Sequence, residues 1–400
     1  MSTIDRTTND ISATAATEIL PDDATLRGAR RQRVLAEMER ADVDILVIGR
    51  EANARYVAGV RRLWTAGSRA FGPGCVLMRD GSIHLLSTWD EGVPDDIPRE
   101  HLYGISFNSQ TFLRVLSQLD GASTARTVAT DALTRSGAGM LAAAFPNATV
   151  VDGEQLLRRA RGTKLPAEID AIRASISVAE QALAATLDAL APGVTERQLT
   201  GVFMEAMAHR GVTTPATQDV AWITSRRRPW ERSSRDTPVA DGDLVAFDAA
   251  VISDGYFGEL SRTIIVGEPN DAVRTLFGRR DELLDRLLAA CVAGAPASDL
   301  LDAYAAAGIE APPMPVARGL GHGFDLPLVT HALPDTAAAE RLEPGMVFGL
   351  SAFVWESGVG AAYVQQPVVV VDHGAQPLAA HTLDPNRPPP DRPAHIQETP

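Results

Sequence analysis

Gly242-Asp-Leu-Val-Ala-Phe-Asp248-Ala-Ala-Val-Ile-Ser-Asp-Gly255-Tyr256-Phe-Gly258-Glu259-Leu-Ser261-Arg262-Thr263 is the stretch that decides the fold. Leu244 to Phe247 and Tyr256 to Val266 are β-rich runs, and Gly255 and Gly258 permit a tight return and a close backbone approach between them. Working outward, Val347 to Leu350 and Val368 to Val371 read as further strands, with a helical excursion from about Ala272 to Ala307 between the two pairs. Upstream, Ile169, Ile172, Ile176, Ala179, Leu183 and Leu187 follow Pro166 at helical spacing, and a second helix follows Thr195, which has cap chemistry. Helices followed by strands with long returns predict a large α+β domain.

The preceding region alternates differently. Leu26 to Ala41 reads as a charged helix, Asp44 to Ile48 as a buried strand, and Gly74 to Leu86 as a hairpin turning at Asp80-Gly81. Thr127 to Thr130 and Thr149 to Val151 add short strands, predicting a mixed sheet covered by helices. The expected organisation is a disordered arm over 1–24, an α/β domain over 25–155, the larger domain over 156–380, and a proline-rich tail over 381–400.

Composition narrows the function. The chain has 400 residues, with 37 basic and 51 acidic side chains, so its net charge of −14 argues against a nucleic-acid binder. Two distant cysteines, Cys75 and Cys291, exclude a disulfide framework or a cysteine zinc site and suit a reducing compartment. No run approaches a membrane span, and Met1 to Ile19 lacks the basic start and apolar core of a secretion signal, so a cytoplasmic protein is expected. Lys164 is the only lysine; arginine in its place elsewhere, with abundant alanine, suggests a bacterial origin.

The Gly242–Thr263 stretch resembles the signature of the prolidase, aminopeptidase P, methionine aminopeptidase and creatinase superfamily. Gly319-Leu-Gly-His322-Gly-Phe, Leu342-Glu-Pro-Gly-Met-Val-Phe348 and Tyr363-Val-Gln365-Gln-Pro-Val-Val-Val-Val371 follow in the order that the superfamily uses, and Leu156 to Ile169 resembles its linker. The resemblance implies an α+β fold whose C-terminal domain is a pita-bread domain, preceded by a smaller creatinase-type α/β domain. It also implies a homodimer, with a small molecule as the other partner, and no nucleic acid or membrane.

Metal-dependent members use two carboxylates on one hairpin, one histidine and two glutamates to hold two divalent ions. Mapped by position, these fall on Asp248, Glu259, His322, Ser351 and Gln365. Ser351 and Gln365 are neutral and bridge two cations poorly, so the dinuclear site reads as degenerate. No cofactor is expected on that reading, with acid/base catalysis carried by Glu231, Asp248, Glu259 and His322. A single Fe, Mn or Zn ion on Asp248, Glu259 and His322 is the alternative. Glu231 stands where the family commonly places a functional histidine, as proton shuttle or as arginine partner. Substrate contacts are expected from Arg69, Arg232, His331, Ser351 and Gln365. The function expected is C–N bond hydrolysis, or elimination or rearrangement, on a small carboxylate-bearing amino-acid-like substrate. A mononuclear Xaa-Pro peptidase and a non-catalytic binding module are the alternatives.

Overall fold

Ile45–Ile48 (β1) is four apolar residues in a row, and all four are buried, as a strand covered on both faces requires. The computed structural model describes residues 24–60, 74–86, 92–104, 109–131, 135–217, 219–231 and 237–379. The arm expected over 1–24, apart from Ala24, and the tail over 381–400 lie outside the described residues.

Around β1 stand α1 (Ala24–Arg40), α2 (Glu51–Ala58), β2 (Cys75–Met78), β3 (Ile83–Leu85), α3 (Ser109–Gln118), β4 (Thr127–Thr130), α4 (Arg135–Ala144), β5 (Thr149–Asp152) and α5 (Glu154–Gly162). The sheet order is β3-β2-β1-β4-β5. β1 runs antiparallel to β2 and parallel to β4, so the sheet is mixed, as the sequence indicated. Helices α2, α3 and α4 were not among the elements expected from the sequence. The two cysteines are buried and unbonded, and burial pushes both thiols up to about 12.

In this domain the His84 ring stacks on His101 with centroids 4.0 Å apart. Burial, and then the neighbouring His101, push the His84 imidazole down from 6.5 to about 4, against the pull of Asp80 and Asp120. The unfolded chain therefore takes up this proton first. Stability from this group is complete above pH 6.5 and is lost as pH falls from 6.5 toward 4. A His84→Gln variant is expected to lose its thermal midpoint less steeply than the parent between those pH values, as calorimetry at several pH values will show.

The second sheet gathers β6 (Ala221–Ile223), β7 (Leu244–Ser253), β8 (Tyr256–Ile265), β9 (Ala317–Leu320), β10 (Phe324–Val329), β11 (Val347–Glu356), β12 (Gly360–Val371) and β13 (Gly374–Pro377). Its order is β10-β9-β11-β12-β8-β7-β6, with β13 on β12. Helices α6 (Pro166–Asp188) and α7 (Glu196–His209) cover β7 and β8; α8 (Asp271–Ala290) and α9 (Asp299–Ala306) cover β11 and β12; α10 (Pro334–Ala339) lies near β10. The expected helical excursion is thus two helices.

The stripe Ile172, Ile176, Ala179 and Leu183 of α6 is fully buried against Val245, Phe247, Ala249 and Val251. Each large apolar side chain contributes about 1.5–3 kcal/mol by leaving water. Strand alternation then sends Asp248 to the opposite face, away from those helices. Gly258 is where helix and sheet touch. A Cβ there would lie 2.2 Å from the Ser175 carbonyl carbon. Gly258→Ala is expected to cost at least about 1–3 kcal/mol through overpacking, read as a lower unfolding midpoint.

The two domains are joined by buried polar contacts. Asp325 on β10 accepts from Arg161 Nε and Lys164 Nζ, both at 2.8 Å. Arg30 of α1 donates to the Tyr256 hydroxyl, which donates to Glu168 at 3.2 Å. Within the first domain, Tyr56 donates to the Ala160 carbonyl at 3.2 Å. Tyr256, buried in the core, is thus also an interdomain contact.

Candidate active site

Four strands bring four side chains into one row. The register pairs Asp248 with Ser261, Ser261 with Gln365, and Gln365 with Ser351. All four stand on the face turned away from the covering helices. Between β8 and β12 the register is that single pair, and side chains complete the seam. Arg262 donates to the Ser261 and Gln365 carbonyls, both at 2.8 Å, and to Gln366 Oε1 at 2.9 Å. Thr263 Oγ1 accepts from Tyr363 N at 2.8 Å. Arg262 thus ties the second strand of the hairpin to β12.

A cavity of ≈150 Å³ opens over this row, lined by Asp248, Glu259, Ser351, Gln365, Arg318, Tyr363 and the Trp222 ring, with Met314 and Pro315 at its edge. That is about five waters' share of liquid volume, enough for a small side chain or ring. The Ser261 hydroxyl donates to Asp248 Oδ1 at 2.9 Å. The Tyr363 hydroxyl donates to Gln365 Oε1 at 2.9 Å. Burial, with the charge of Asp248, raises the Tyr363 pKa, so it keeps its proton and acts as a donor. Gly349 makes room for this arrangement, because a Cβ there would meet Gln365 Nε2 at 2.1 Å.

The dominant charge in the cavity is one that the sequence reading missed. Arg318 on β9 pairs with Gly349 of β11 in register, and its guanidinium forms an ion pair with Glu259 Oε1. Burial alone would favour the neutral form of Arg318, but Glu259 and then Asp248 more than offset it and hold the group charged. Glu259 is buried, and its Oε2 has no hydrogen-bond partner.

The other expected residues are elsewhere. His322 is buried in the β9–β10 turn, with the Tyr256 ring 4.1 Å and the Tyr56 ring 5.4 Å away, centroid to centroid. It packs against Gly255 at the tip of the β7–β8 hairpin. At about 3.3 Å per residue, that tip is roughly 13 Å along the strand from Glu259 and roughly 23 Å from Asp248. Burial and then the fields of Arg30, Arg55, Arg161 and Lys164 push its pKa well down, so the imidazole is neutral, and neither ring nitrogen has a partner. The acid/base role expected of His322 beside Asp248 is therefore not supported by its position.

Glu231 is exposed on a loop and accepts from Ser225 Oγ at 3.2 Å, outside the cavity lining. Glu231→Gln is accordingly expected to leave turnover within about twofold of the parent in a steady-state assay, because exposed substitutions away from a site change little. His331 is also exposed, with Nδ1 2.9 Å from the Pro312 carbonyl, and is no part of the lining. Arg69 and Arg232 lie outside the described residues.

With this geometry in view, comparison with known proteins is informative. The model of metallopeptidase family M24 matches residues 170–372, and that of the creatinase/prolidase N-terminal domain matches residues 30–162. The chain belongs to metallopeptidase family M24. The M24 match takes in α6 from residue 170, all of α7 and every cavity residue. The chain is 24% identical over 229 residues to the Xaa-Pro dipeptidase of Pyrococcus furiosus, and 26% identical over 238 residues to that of Lactobacillus helveticus. These alignments take in 56% and 58% of this chain and span 65% and 63% of the relatives' length, just under two thirds. Among solved structures, the prolidase from Pyrococcus horikoshii OT3 superposes with a TM-score of 0.71 at 17% identity, covering 88% of this chain and 97% of that one. Dipeptidase PepE from Mycobacterium ulcerans gives 0.70 at 21%, covering 90% and 98%. The pita-bread fold preceded by a creatinase-type domain is thereby shown.

The M24 description implies divalent ions, and the donor set of this M24 domain does not fit them. Among the described residues, no group of three or more His, Cys, Asp or Glu side chains is placed to hold a metal. Glu259 is engaged by a cation already, Ser351 and Gln365 are neutral, and the Gln365 oxygen is taken by Tyr363. The single-ion set Asp248, Glu259 and His322 is not assembled. No helix is long and apolar enough to cross a membrane among the described residues.

Proposed function

We propose that this chain hydrolyses C–N bonds in small amino-acid-like substrates, by acid–base chemistry in the Asp248 cavity. The observation that supports this most is the juxtaposition of an ionisable carboxylate, a charged guanidinium and neutral hydroxyl donors around one small cavity. A pocket retained only for packing would have no need of these groups, which argues against a non-catalytic binding module.

Asp248, oriented by the Ser261 hydroxyl, takes a proton from water as the water oxygen bonds to the substrate carbonyl carbon. The negative charge that develops on the carbonyl oxygen is stabilised by Arg318 N–H groups, with the Ser351 hydroxyl as a further donor. Asp248 returns the proton to the departing nitrogen as the C–N bond breaks, giving a carboxylic acid and an amine. Arg69 and Arg232 remain candidates to bind a substrate carboxylate. The enzyme would act on small molecules as a homodimer.

The activity of the Xaa-Pro dipeptidase relatives makes Xaa-Pro dipeptides the first substrates to try, and it favours the second reading, a metal-dependent Xaa-Pro peptidase. The test is a panel of Xaa-Pro dipeptides, simple amides, ureas and amidines, assayed with and without added Mn²⁺, with product amine as the readout. Turnover that Mn²⁺ leaves unchanged supports acid–base hydrolysis. Turnover seen only with Mn²⁺ supports the second reading and overturns the first. No turnover of any class removes both.

A further inference from the structure

We infer that the Arg318 guanidinium is a resident substitute for the metal centre of this fold, so that the cavity carries its own cation and does not take up divalent ions. This deepens the proposed function and rests on the same cavity, but its test does not depend on finding a substrate.

The argument begins with charge. Asp248 and Glu259 put two carboxylates into one cavity, and Glu259 is buried. Two unneutralised carboxylates there would be costly, because burial penalises a charge unless it is paired. Where a family relative would use ions, this chain uses a planar cation tethered to β9. Arg318 forms an ion pair with Glu259 and feels the charge of Asp248. A guanidinium cannot be deprotonated in a protein and cannot ligate a metal, since it has donors only. Its presence therefore neutralises the acids and repels a second cation at once.

The remaining positions agree with a single built-in positive charge. Two carboxylates against one guanidinium leave the cavity formally at −1, and Ser351 and Gln365 add nothing to that. Carboxylates at those two positions would bring it to −3, more than Arg318 could balance. Ser261 Oγ satisfies Asp248 by a hydrogen bond, and Tyr363 occupies the Gln365 oxygen. The cation at 318 and the neutral side chains at 351 and 365 thus form one consistent arrangement.

The experiment uses the full chain, tag-free, titrated with MnCl₂ by calorimetry and by thermal unfolding, alongside two variants. Arg318→Met removes the cation alone. Arg318→Met combined with Ser351→Glu and Gln365→Glu removes it and adds two ligands. The parent is expected to show no binding heat and no midpoint shift at millimolar Mn²⁺. Arg318→Met is expected to have a lower midpoint than the parent, partly restored by Mn²⁺. The triple variant is expected to bind the ion more tightly still, with a larger rise. Stoichiometric binding of Mn²⁺ by the parent would overturn the inference whatever substrate is found. It would also be overturned if Arg318→Met folded but gained nothing from Mn²⁺, because Arg318 would then not be what excludes the ion. Failure to find a substrate, with the Mn²⁺ results as expected, would instead count against the hydrolase reading alone.

Discussion

Asp248→Asn lowers kcat/KM by about 10²–10⁴-fold on any substrate that the parent enzyme hydrolyses, the range associated with losing a positioned proton-transfer group. The change is close to isosteric. Asparagine still offers an oxygen to the Ser261 hydroxyl, so the row Asp248–Ser261–Gln365–Ser351 keeps its geometry. What disappears is the capacity to take a proton from water and return it to the leaving nitrogen. The loss falls on kcat, because a neutral amide retains most of the contacts that hold the substrate. A circular dichroism spectrum and unfolding midpoint matching the parent exclude misfolding as the cause. Full activity in Asp248→Asn would sink the acid–base assignment.

The second large effect is on stability. Asp325→Asn removes the carboxylate that pairs at 2.8 Å with both Arg161 and Lys164, all three being buried. Breaking a buried ion pair by deleting one partner costs about 3–5 kcal/mol, because the charge left behind is neither solvated nor paired. Lys164 loses its carboxylate partner, while Arg161 keeps a longer contact with Glu154 at 3.9 Å. Each of the two domains has its own apolar clusters, and the lost contact lies between the domains. Unfolding of Asp325→Asn is therefore expected to split or broaden as well as move to lower temperature.

The same triad has a defined pH signature. Burial alone would raise the Asp325 pKa, but Lys164 and Arg161 more than offset it and hold the carboxyl below the usual 3.8. A depressed folded pKa gives stability that is present above the ordinary carboxylate range and lost as pH falls through the folded value. In the parent this part of the loss comes at strongly acidic pH; in Asp325→Asn it is absent. His84 acts higher, between pH 6.5 and 4, so the two groups are separable in one titration.

The fold was readable because its signals were periodic. Ile172, Ile176, Ala179 and Leu183 recur at helical spacing, and Thr195 caps the next helix as its chemistry suggested. Asp248, Glu259, Ser351 and Gln365 were grouped by resemblance to family positions, and long paired strands bring them to one cavity because each position on one strand has a definite neighbour on the next. Arg318 was missed because β9 is only four residues long and shows no alternation from which its facing could be read. His322 was misplaced because it sits in the turn after that strand, where local geometry and not period 2 decides direction. Glu231 and His331 are loop residues, and sequence spacing says little about where a loop delivers a side chain.

One consequence of the interdomain triad concerns reagents that attack amines. Lys164 supplies the only ε-amino group in 400 residues, and that group is locked against Asp325 with 1% of its side chain exposed. Acylating reagents, reductive methylation and enzymes that build isopeptide bonds thus meet a folded surface with no lysine to modify. Each chain that does acquire an ε-label has parted its two domains at least once, so label stoichiometry against time counts those openings directly.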